Sequence, residues 1–390
     1  MGQPIGPPLS VILPVFNGAE FISEAVKSIL GQTYTDFELL VIDDGCTDNT
    51  FEVLGQFHDD RIRVIRNAVN SGLVHSLNKG ISQSTSDFIG RMDADDISEP
   101  NRFALQIGSL KKNRELGVIS CGFRSFSDIA GGNREVILPE SDREIRRDLF
   151  CKTNAFCHPA TMMRRAALVD SGGYRQTWFP AEDRDLWLRI LEKWRGANLP
   201  QILHQKYENA GSISAMNLVR QNELVLSSTV AALDRKRFPK GTNSDVLNES
   251  WTRGHLFVAF GLAFRGAKKN AEKHIKMAFH MDKTISREHF QELLHDRIDS
   301  SIYLGNADTY AAKRALNDIV GFQDVINCDL RSQIGEAEAY MHLVAAFRHR
   351  QLGNRLRAQN EAVKAIHKNA KHARNIGLLK LAIGWPVNNY

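Results

Sequence analysis

No segment of this chain stays apolar for the ~18–20 residues that a helix needs to cross a bilayer; the longest clean run is about Val11–Phe16. The N-terminal MGQPIGPPLS has neither the basic start nor the apolar core of a secretory signal. Cysteine is scarce: five residues, at 46, 121, 151, 157 and 328, odd in number and without a C-x-x-C pair. A disulfide framework and a thiolate zinc site are thereby excluded. Together these absences predict a cytosolic chain with reduced thiols. With 43% apolar and 24% charged residues, the composition is that of a globular protein, which excludes collagen-like, coiled-coil and wholly disordered chains. At 390 residues there is room for two or three domains.

Charge is present but uneven. Residues 1–214 carry 24 Lys+Arg against 28 Asp+Glu, a net of −4, whereas residues 215–390 carry 26 against 17, a net of +9. From Tyr340 to the end there are nine Lys/Arg against the single Glu361. The split predicts an acidic, cation-using front half and a back half that prefers anionic surfaces, a membrane or an anionic polymer. The plainer alternative is a set of solvated helix faces. No nucleic-acid motif accompanies the positive charge, so no nucleic-acid partner is expected.

The first hundred residues alternate in a strand–helix rhythm. Strands are expected at Ser10–Val15, Glu38–Ile42, Arg61–Arg66 and Asp87–Met92. Between them, Ile22, Ala25, Val26 and Ile29 recur at the spacing of an amphipathic helix, a second helix follows Asp48 as N-cap to about Phe57, and a third spans Leu73–Ile81, ending at Gly80. This order predicts an α/β fold, a mostly parallel sheet with helices on both faces. In such sheets ligands bind beyond the carboxyl ends of the strands. Phe16–Asn17, Asp43–Asp44 and Asp93–Asp96 all fall at such ends, so an aromatic, a carboxylate pair and a carboxylate cluster are expected to face one crevice.

Beyond about Ser214 helical patterns take over, near 216–235, 250–282, 287–318 and 333–372, giving domains 1–215 and 216–390. Residues 254–282 and 339–370 look alike: an apolar helix, a turn at Gly266 or Gly353, then a helix with a small residue at Ala278 or Ala362. This suggests a helix-turn-helix repeat of the tetratricopeptide kind, or else a generic helical bundle. The apolar tail 378–385 suits docking on the bundle or at a membrane interface.

RMDADDISEPNR (91–102) concentrates four acids just past a strand. Their mutual repulsion is costly unless a cation compensates, and an all-oxygen donor set favours Mg²⁺ or Mn²⁺. The alternative is an acidic loop that caps the next helix through Asp96 or Ser98. The cluster stands in a series: PVFNGAE, VIDDGCTDNT, NSGLVHSLNKGI, RMDADD, CHPATMMRR and AEDRDLWLRI, in this order. The series resembles the inverting family 2 glycosyltransferases of GT-A fold, in particular bacterial non-processive members that build surface polysaccharides and lipopolysaccharides. The resemblance covers about residues 9–215.

That resemblance implies roles. Pro14 and Val15 would contact a nucleotide base through main chain, Phe16 would stack on it, and Asp44, with Asp43 beside it, would accept from the base imide. Such a carboxylate suits uracil, which favours a UDP-sugar donor, with a dTDP- or GDP-sugar as the alternative. Asp95 would bind the metal and Asp93 the ribose or a metal-bound water, while Arg91 and Lys79 would face donor phosphates or sugar. Asn70 and Asn78 would be structural. Inversion needs one carboxylate to take the acceptor proton; the resemblance points to Asp183, with Glu182 as a substrate contact and His158 near the acceptor or buried as a structural residue. Asp185 is expected to meet first-turn amides instead. The acceptor would be a glycan or lipid-linked hydroxyl at the inner face of the cell membrane.

Departures from the family pattern are few. The Q-x-x-R-W motif of processive synthases is absent, which favours addition of one or a few sugars. Cys46 replaces the usual serine after D-D-G. The basic residue often found in the end-of-domain loop is missing from HQKYENAGSIS (204–214), leaving Lys206 as the nearest cation. Two rival readings are a nucleotidyltransferase of related fold, disfavoured because no Gly-rich phosphate loop follows strand 1, and a non-catalytic sugar-nucleotide-binding scaffold.

Overall fold

A computed structural model describes residues 7–127, 133–151, 155–208, 217–235, 237, 244–281, 294–295, 298, 309–320, 331–351 and 354–369. They fall into two compact units, one holding every described strand and the other the helices from Leu218 onward. The expected boundary at 215 and the tail 378–385 lie outside the described residues.

The first unit opens as β1 (Leu9–Val15), α1 (Ile22–Leu30), β2 (Phe37–Asp43), α2 (Thr50–Leu54), β3 (Ile62–Arg66), α3 (Leu73–Gln83) and β4 (Phe88–Arg91). It continues with β5 (Ile97–Ser98), α4 (Arg102–Lys112), β6 (Leu116–Ser127), β7 (Arg134–Val136), α5 (Asp142–Cys151), β8 (Met162–Arg164), α6 (Arg165–Ser171), α7 (Glu182–Ile190) and β9 (Arg195–Glu208). The sheet runs β3-β2-β1-β4-β8-β6-β9-β5, with β7 on β6. β3, β2, β1 and β4 are parallel, whereas β8 is antiparallel to β4 and β6, and β5 is antiparallel to β9. The sheet is therefore mixed, its parallel half coming from the βα rhythm of the first ninety residues.

Alternation along β1 explains the layers. Leu9, Val11 and Leu13 share a core with Ile22, Ala25, Val26 and Ile29 of α1 and with Phe103, Ile107 and Leu110 of α4. Ile12 points to the other face, where α3 approaches so closely that a Cβ on Gly80 would lie 2.6 Å from Ile12 Cγ2. Helix α3 accordingly does not end at Gly80 but continues to Gln83; this glycine serves contact with the sheet rather than termination. Asp48 does accept from the Thr50 amide at 3.1 Å, yet α2 is a short helix with Asn49 at its N-cap. Val15 pairs with Asp43 and Ile12 with Arg91, which brings the ends of β1, β2 and β4 to one edge.

The second unit contains α8 (Leu218–Arg235), α9 (Ser244–Phe264), α10 (Lys268–Met281), α11 (Thr309–Val320), α12 (Arg331–Gln351) and α13 (Arg355–Lys368). α9 packs on α10, α12 on α13, and α11 touches both α9 and α12. Both ends of α9 and α12, and both ends of α10 and α13, are 87 residues apart. At that offset Ala271 matches Ala358 and Ala278 matches Ala365, all fully buried. The small residue equivalent to Ala278 is thus Ala365, not Ala362. Polar pairs bridge the two hairpins at matching places too: His255 Nδ1 to His274 Nδ1 at 2.9 Å, and His342 Nδ1 to Glu361 Oε2 at 2.5 Å. Among the described residues no helix is long and apolar enough to cross a membrane.

Candidate active site

β4 delivers Arg91 to the sheet edge and the chain runs directly into the acid loop. Carboxylate oxygens of Asp93, Asp95 and Asp96 lie within 4.8 Å of one another. Glu99 is not part of the group; it accepts from Gln205 Nε2 at 2.7 Å. Arg91, buried, grips Asp93 with both terminal nitrogens, at 2.6 and 3.0 Å. Asp96 is also buried: Oδ2 meets His204 Nε2 at 2.8 Å and Oδ1 accepts from the Tyr207 amide at 3.0 Å. Burial pushes His204 down in pKa, so the neutral ring donates through Nε2. Asp96 is held at about 6, chiefly by burial. Asp95 pairs with no Lys or Arg among the described residues, and burial with the neighbouring Asp93 and Asp96 lifts it to about 7. A carboxyl so destabilised as an anion, in an all-oxygen cluster, fits a hard divalent cation. Helix capping is a different matter: α4 starts after an Asn101 N-cap and has no acid in its first turn.

A second acidic pair opens α7. Glu182 is 4% exposed, and burial, then Asp183, raise it to about 8. Asp183 is raised as well by burial, with Arg91 and Arg184 acting against that; its Oδ1 accepts from the Arg184 amide at 2.7 Å. Asp185 does not turn to first-turn amides as expected. One turn on, Arg189 donates to it at 2.6 and 2.9 Å and also caps the Ser171 carbonyl, which ties α7 to the end of α6. An internal ion pair outcompetes the amides because Asp185 is only 1% exposed and a buried carboxylate needs a full countercharge.

His158 sits in a short turn, 158–160, held from α4 by Arg102 on the Pro159 carbonyl at 3.2 Å and Gln106 on the Ala160 carbonyl at 2.7 Å. The same turn lies beside β4, where the Arg91 amide donates to the Thr161 carbonyl at 2.9 Å. His158 Nε2 is 2.8 Å from the Tyr174 hydroxyl, and Nδ1 is 4.0 Å from Asp183 Oδ2. Arg91 acts electrostatically on Asp93, Asp96, Glu182 and Asp183 alike, so the sequence-predicted acids of 93–96 and 182–183 come together around one guanidinium.

The loops after β1 and β2 form a separate group. Phe16 is 47% exposed, Pro14 and Val15 are buried, and the Val15 carbonyl accepts from the Asp44 amide at 2.8 Å. Asp43 pairs with Arg66 at 3.1 Å and receives the Cys46 amide at 2.8 Å. Asp44 Oδ1 takes Asn67 and the Ser71 amide, and Oδ2 takes the Gly72 amide. Lys79 bonds Asn67 Oδ1 at 2.5 Å and the Arg66 carbonyl at 3.2 Å, which steadies the Asp44 loop. Asn70 accepts from the Gly72 amide, and Asn78 brackets the Tyr174 backbone with two bonds. Gly45, at φ +75°, leaves no room for a side chain: a Cβ would lie 2.6 Å from the Val69 carbonyl carbon. Cys46 Sγ takes the Asn17 amide at 3.2 Å and reaches the Val15 carbonyl at 3.6 Å, as a serine hydroxyl in its place could.

Sequence reasoning missed Tyr174, and it marked the segment 204–214 without giving His204 or Tyr207 a role; these two reach Asp96 across 108 and 111 positions. Lys206, the nearest cation of that segment, acts electrostatically on Asp93 and Asp96.

Residues 10–172 match the model of glycosyl transferase family 2; the match holds the acid loop, and Glu182 and Asp183 lie beyond it. EpsE of Bacillus subtilis, named as a glycosyltransferase, is 36% identical over 211 residues, 53% of this chain and 74% of its own. The O-antigen biosynthesis glycosyltransferase WbnJ of Escherichia coli is 32% identical over 190 residues, 47% of this chain and 72% of its own. Among solved structures, S. aureus TarS 1–349 in complex with UDP-GlcNAc superposes with a TM-score of 0.52 at 18% identity, covering 87% of this chain and 91% of that one. This last likeness is one of fold, GT-A with helices following. The family match and the named relatives speak against the nucleotidyltransferase alternative, and this chain belongs to glycosyl transferase family 2 as a glycosyltransferase.

Proposed function

We propose that this enzyme moves one sugar at a time from a nucleotide-sugar, a UDP-sugar, to a hydroxyl of a glycan or lipid-linked acceptor in surface polysaccharide biosynthesis, with inversion at the anomeric carbon. One observation carries the reading: Arg91 grips Asp93 at 2.6 Å while its amide donates to the Thr161 carbonyl, beside the turn that sets His158 4.0 Å from Asp183. A group that holds the donor's charge and a group that takes a proton are thereby within reach of one substrate.

Phe16, exposed at a strand end, stacks on the base, with Pro14 and Val15 alongside through main chain. Asp44 Oδ2 carries one hydrogen bond among the described residues and so keeps acceptor capacity for a uracil imide; Asp43 and Lys79 support that loop. Asp95 and Asp93 hold Mg²⁺ or Mn²⁺, with Arg91 orienting Asp93. When bound, such an ion neutralises the charge that develops on the departing diphosphate. Asp183 takes the acceptor proton, and Glu182, kept protonated by burial at neutral pH, contacts substrate as a hydrogen-bond donor. WbnJ, by its name, acts in O-antigen biosynthesis, which supports a surface-glycan acceptor here. The basic helical unit, whose two hairpins support a repeat reading of 216–390, holds the enzyme at the anionic inner face of the cell membrane where lipid-linked acceptors reside.

The test is a donor panel: UDP-, GDP- and dTDP-sugars with Mn²⁺ or Mg²⁺, followed by nucleoside diphosphate release and donor-binding titrations. Release of UDP alone, dependent on the ion and reduced at least 100-fold by Asp95→Ala and by Asp183→Asn, is expected. If neither UDP-sugar binding nor release is seen with either ion, the donor assignment fails.

A further inference from the structure

We infer that His158 is a positioning residue for Asp183, and that the Tyr174 hydroxyl selects the ring tautomer that does it. The inference rests on the reading of Asp183 as the base.

The argument starts at Tyr174. Its ring is buried, and the only hydrogen bond its hydroxyl makes among the described residues is to His158 Nε2, at 2.8 Å. A buried phenol must spend its proton on an acceptor, and Nε2 is the acceptor there. Burial holds the tyrosine well above its ordinary pKa and, with Arg91 and Lys206, holds the histidine well below its own, so both groups are neutral. A neutral imidazole that accepts at Nε2 carries its proton on Nδ1. Nδ1 is the nitrogen that faces Asp183, 4.0 Å from Oδ2.

Asp183 is therefore addressed from two sides. Oδ1 takes the Arg184 amide of its own helix, and Oδ2 faces an N–H anchored outside that helix. The distance is longer than a hydrogen bond, as is common before substrate closes a site. The histidine cannot swing freely: the Trp187 ring packs against it in a T-shaped pair, with centroids 5.8 Å apart, and the Tyr174 ring lies at 5.5 Å. Behind it, Asn78 fixes the Tyr174 main chain, donating to its carbonyl at 2.9 Å and accepting from its amide at 3.1 Å. The chain Asn78–Tyr174–His158–Asp183 thus runs from α3 to the start of α7.

In the reaction the acceptor oxygen forms the new bond to the anomeric carbon, its proton passes to Asp183, and the bond from that carbon to the diphosphate breaks with its electron pair leaving on the diphosphate. An N–H aimed at Oδ2 keeps the carboxylate ionised and pointed until the proton arrives. Without it, the half-buried Asp183 is harder to ionise.

The experiment is a set of pH–rate profiles on the full-length enzyme. His158→Asn can place an amide N–H where Nδ1 stands, whereas His158→Gln places its amide nearer Nε2. We expect His158→Gln to lose about tenfold or more in kcat, with the acidic limb moved up by about half a pH unit or more and donor KM unchanged. His158→Asn should recover much of the rate, and Tyr174→Phe should move the limb in the same direction by less. An unmoved acidic limb in both His158→Gln and Tyr174→Phe, or equal loss in the Gln and Asn variants, overturns the inference. Should the histidine variants fail to fold, judged by circular dichroism, Tyr174→Phe decides alone. Full activity in Asp183→Asn would instead overturn the base assignment itself, a result distinct from either.

Discussion

Arg91 is the residue on which most charges of the site converge, and its neighbours show how burial and pairing compete. Asp93 and Asp96 receive direct donors, Arg91 for one and His204 with the Tyr207 amide for the other. Asp95 and Glu182 have only their own amides, with no donor from another residue among the described ones, and they are lifted to about 7 and about 8. For Glu182 the consequence can be signed. An unfolded glutamate releases its proton near pH ~4.3, whereas the folded group keeps it to about 8. Between these values the folded state binds the extra proton, so stability falls as pH rises through the window. Glu182→Gln removes that penalty. Thermal melts at pH 6 and pH 8.5 should show a larger drop in Tm for the parent than for the variant, by several degrees. Equal drops would mean that Glu182 already ionises at neutral pH in the folded protein.

At the scale of elements, local pattern located most pieces of the first hundred residues. The stripe Ile22, Ala25, Val26, Ile29 is the buried face of α1, and each of the four expected strands is present within two residues of its expected ends. Where reading and structure part, a distant contact is the cause. Gly80 reads as a helix terminator, yet α3 runs through it because β1 lies against that spot. Asp185 reads as a first-turn acid but is claimed by Arg189. Gly80→Ala tests the first case. Helix propensity alone makes it stabilising by ~1 kcal/mol, but the added Cβ would sit 2.6 Å from Ile12 Cγ2 in a packed interior. Overpacking of that kind costs ~1–3 kcal/mol, so a net loss is expected in the urea midpoint. A gain would show that α3 is free to shift away from the sheet.

Across the whole molecule, the division of charge follows the division into units. The first unit concentrates acids around one cation, while the second exposes Lys268, Lys269, Lys273 and Lys276 on α10 and Lys364 and Lys368 on α13. Each well-placed cation near an anionic bilayer contributes ~1 kcal/mol, screened over ~8–10 Å at physiological salt. Sedimentation with phosphatidylserine vesicles should therefore pellet the protein at low salt and release it by about 0.3 M salt, with zwitterionic vesicles inert throughout. Failure to pellet with anionic vesicles at low salt would remove the membrane role of the basic half.

The sequence alone determined the βα order, the strand ends that carry Phe16, Asp43–Asp44 and Asp93–Asp96, the acid pair 182–183 and the two helix hairpins. These are properties of neighbours: periodicity, turn residues and short motifs act over a few positions, and a strand end follows from where an apolar run stops. It could not reveal which acids would be paired. Asp96 meets His204 across 108 positions, Tyr174 is bracketed by Asn78 across 96, and Glu99 leaves the acid cluster for Gln205 across 106. Those choices depend on β5 lying against β9 and on β8 lying against β4. Only the folded sheet, by closing such distances and excluding water, decides which carboxylates are satisfied and which are left for a ligand.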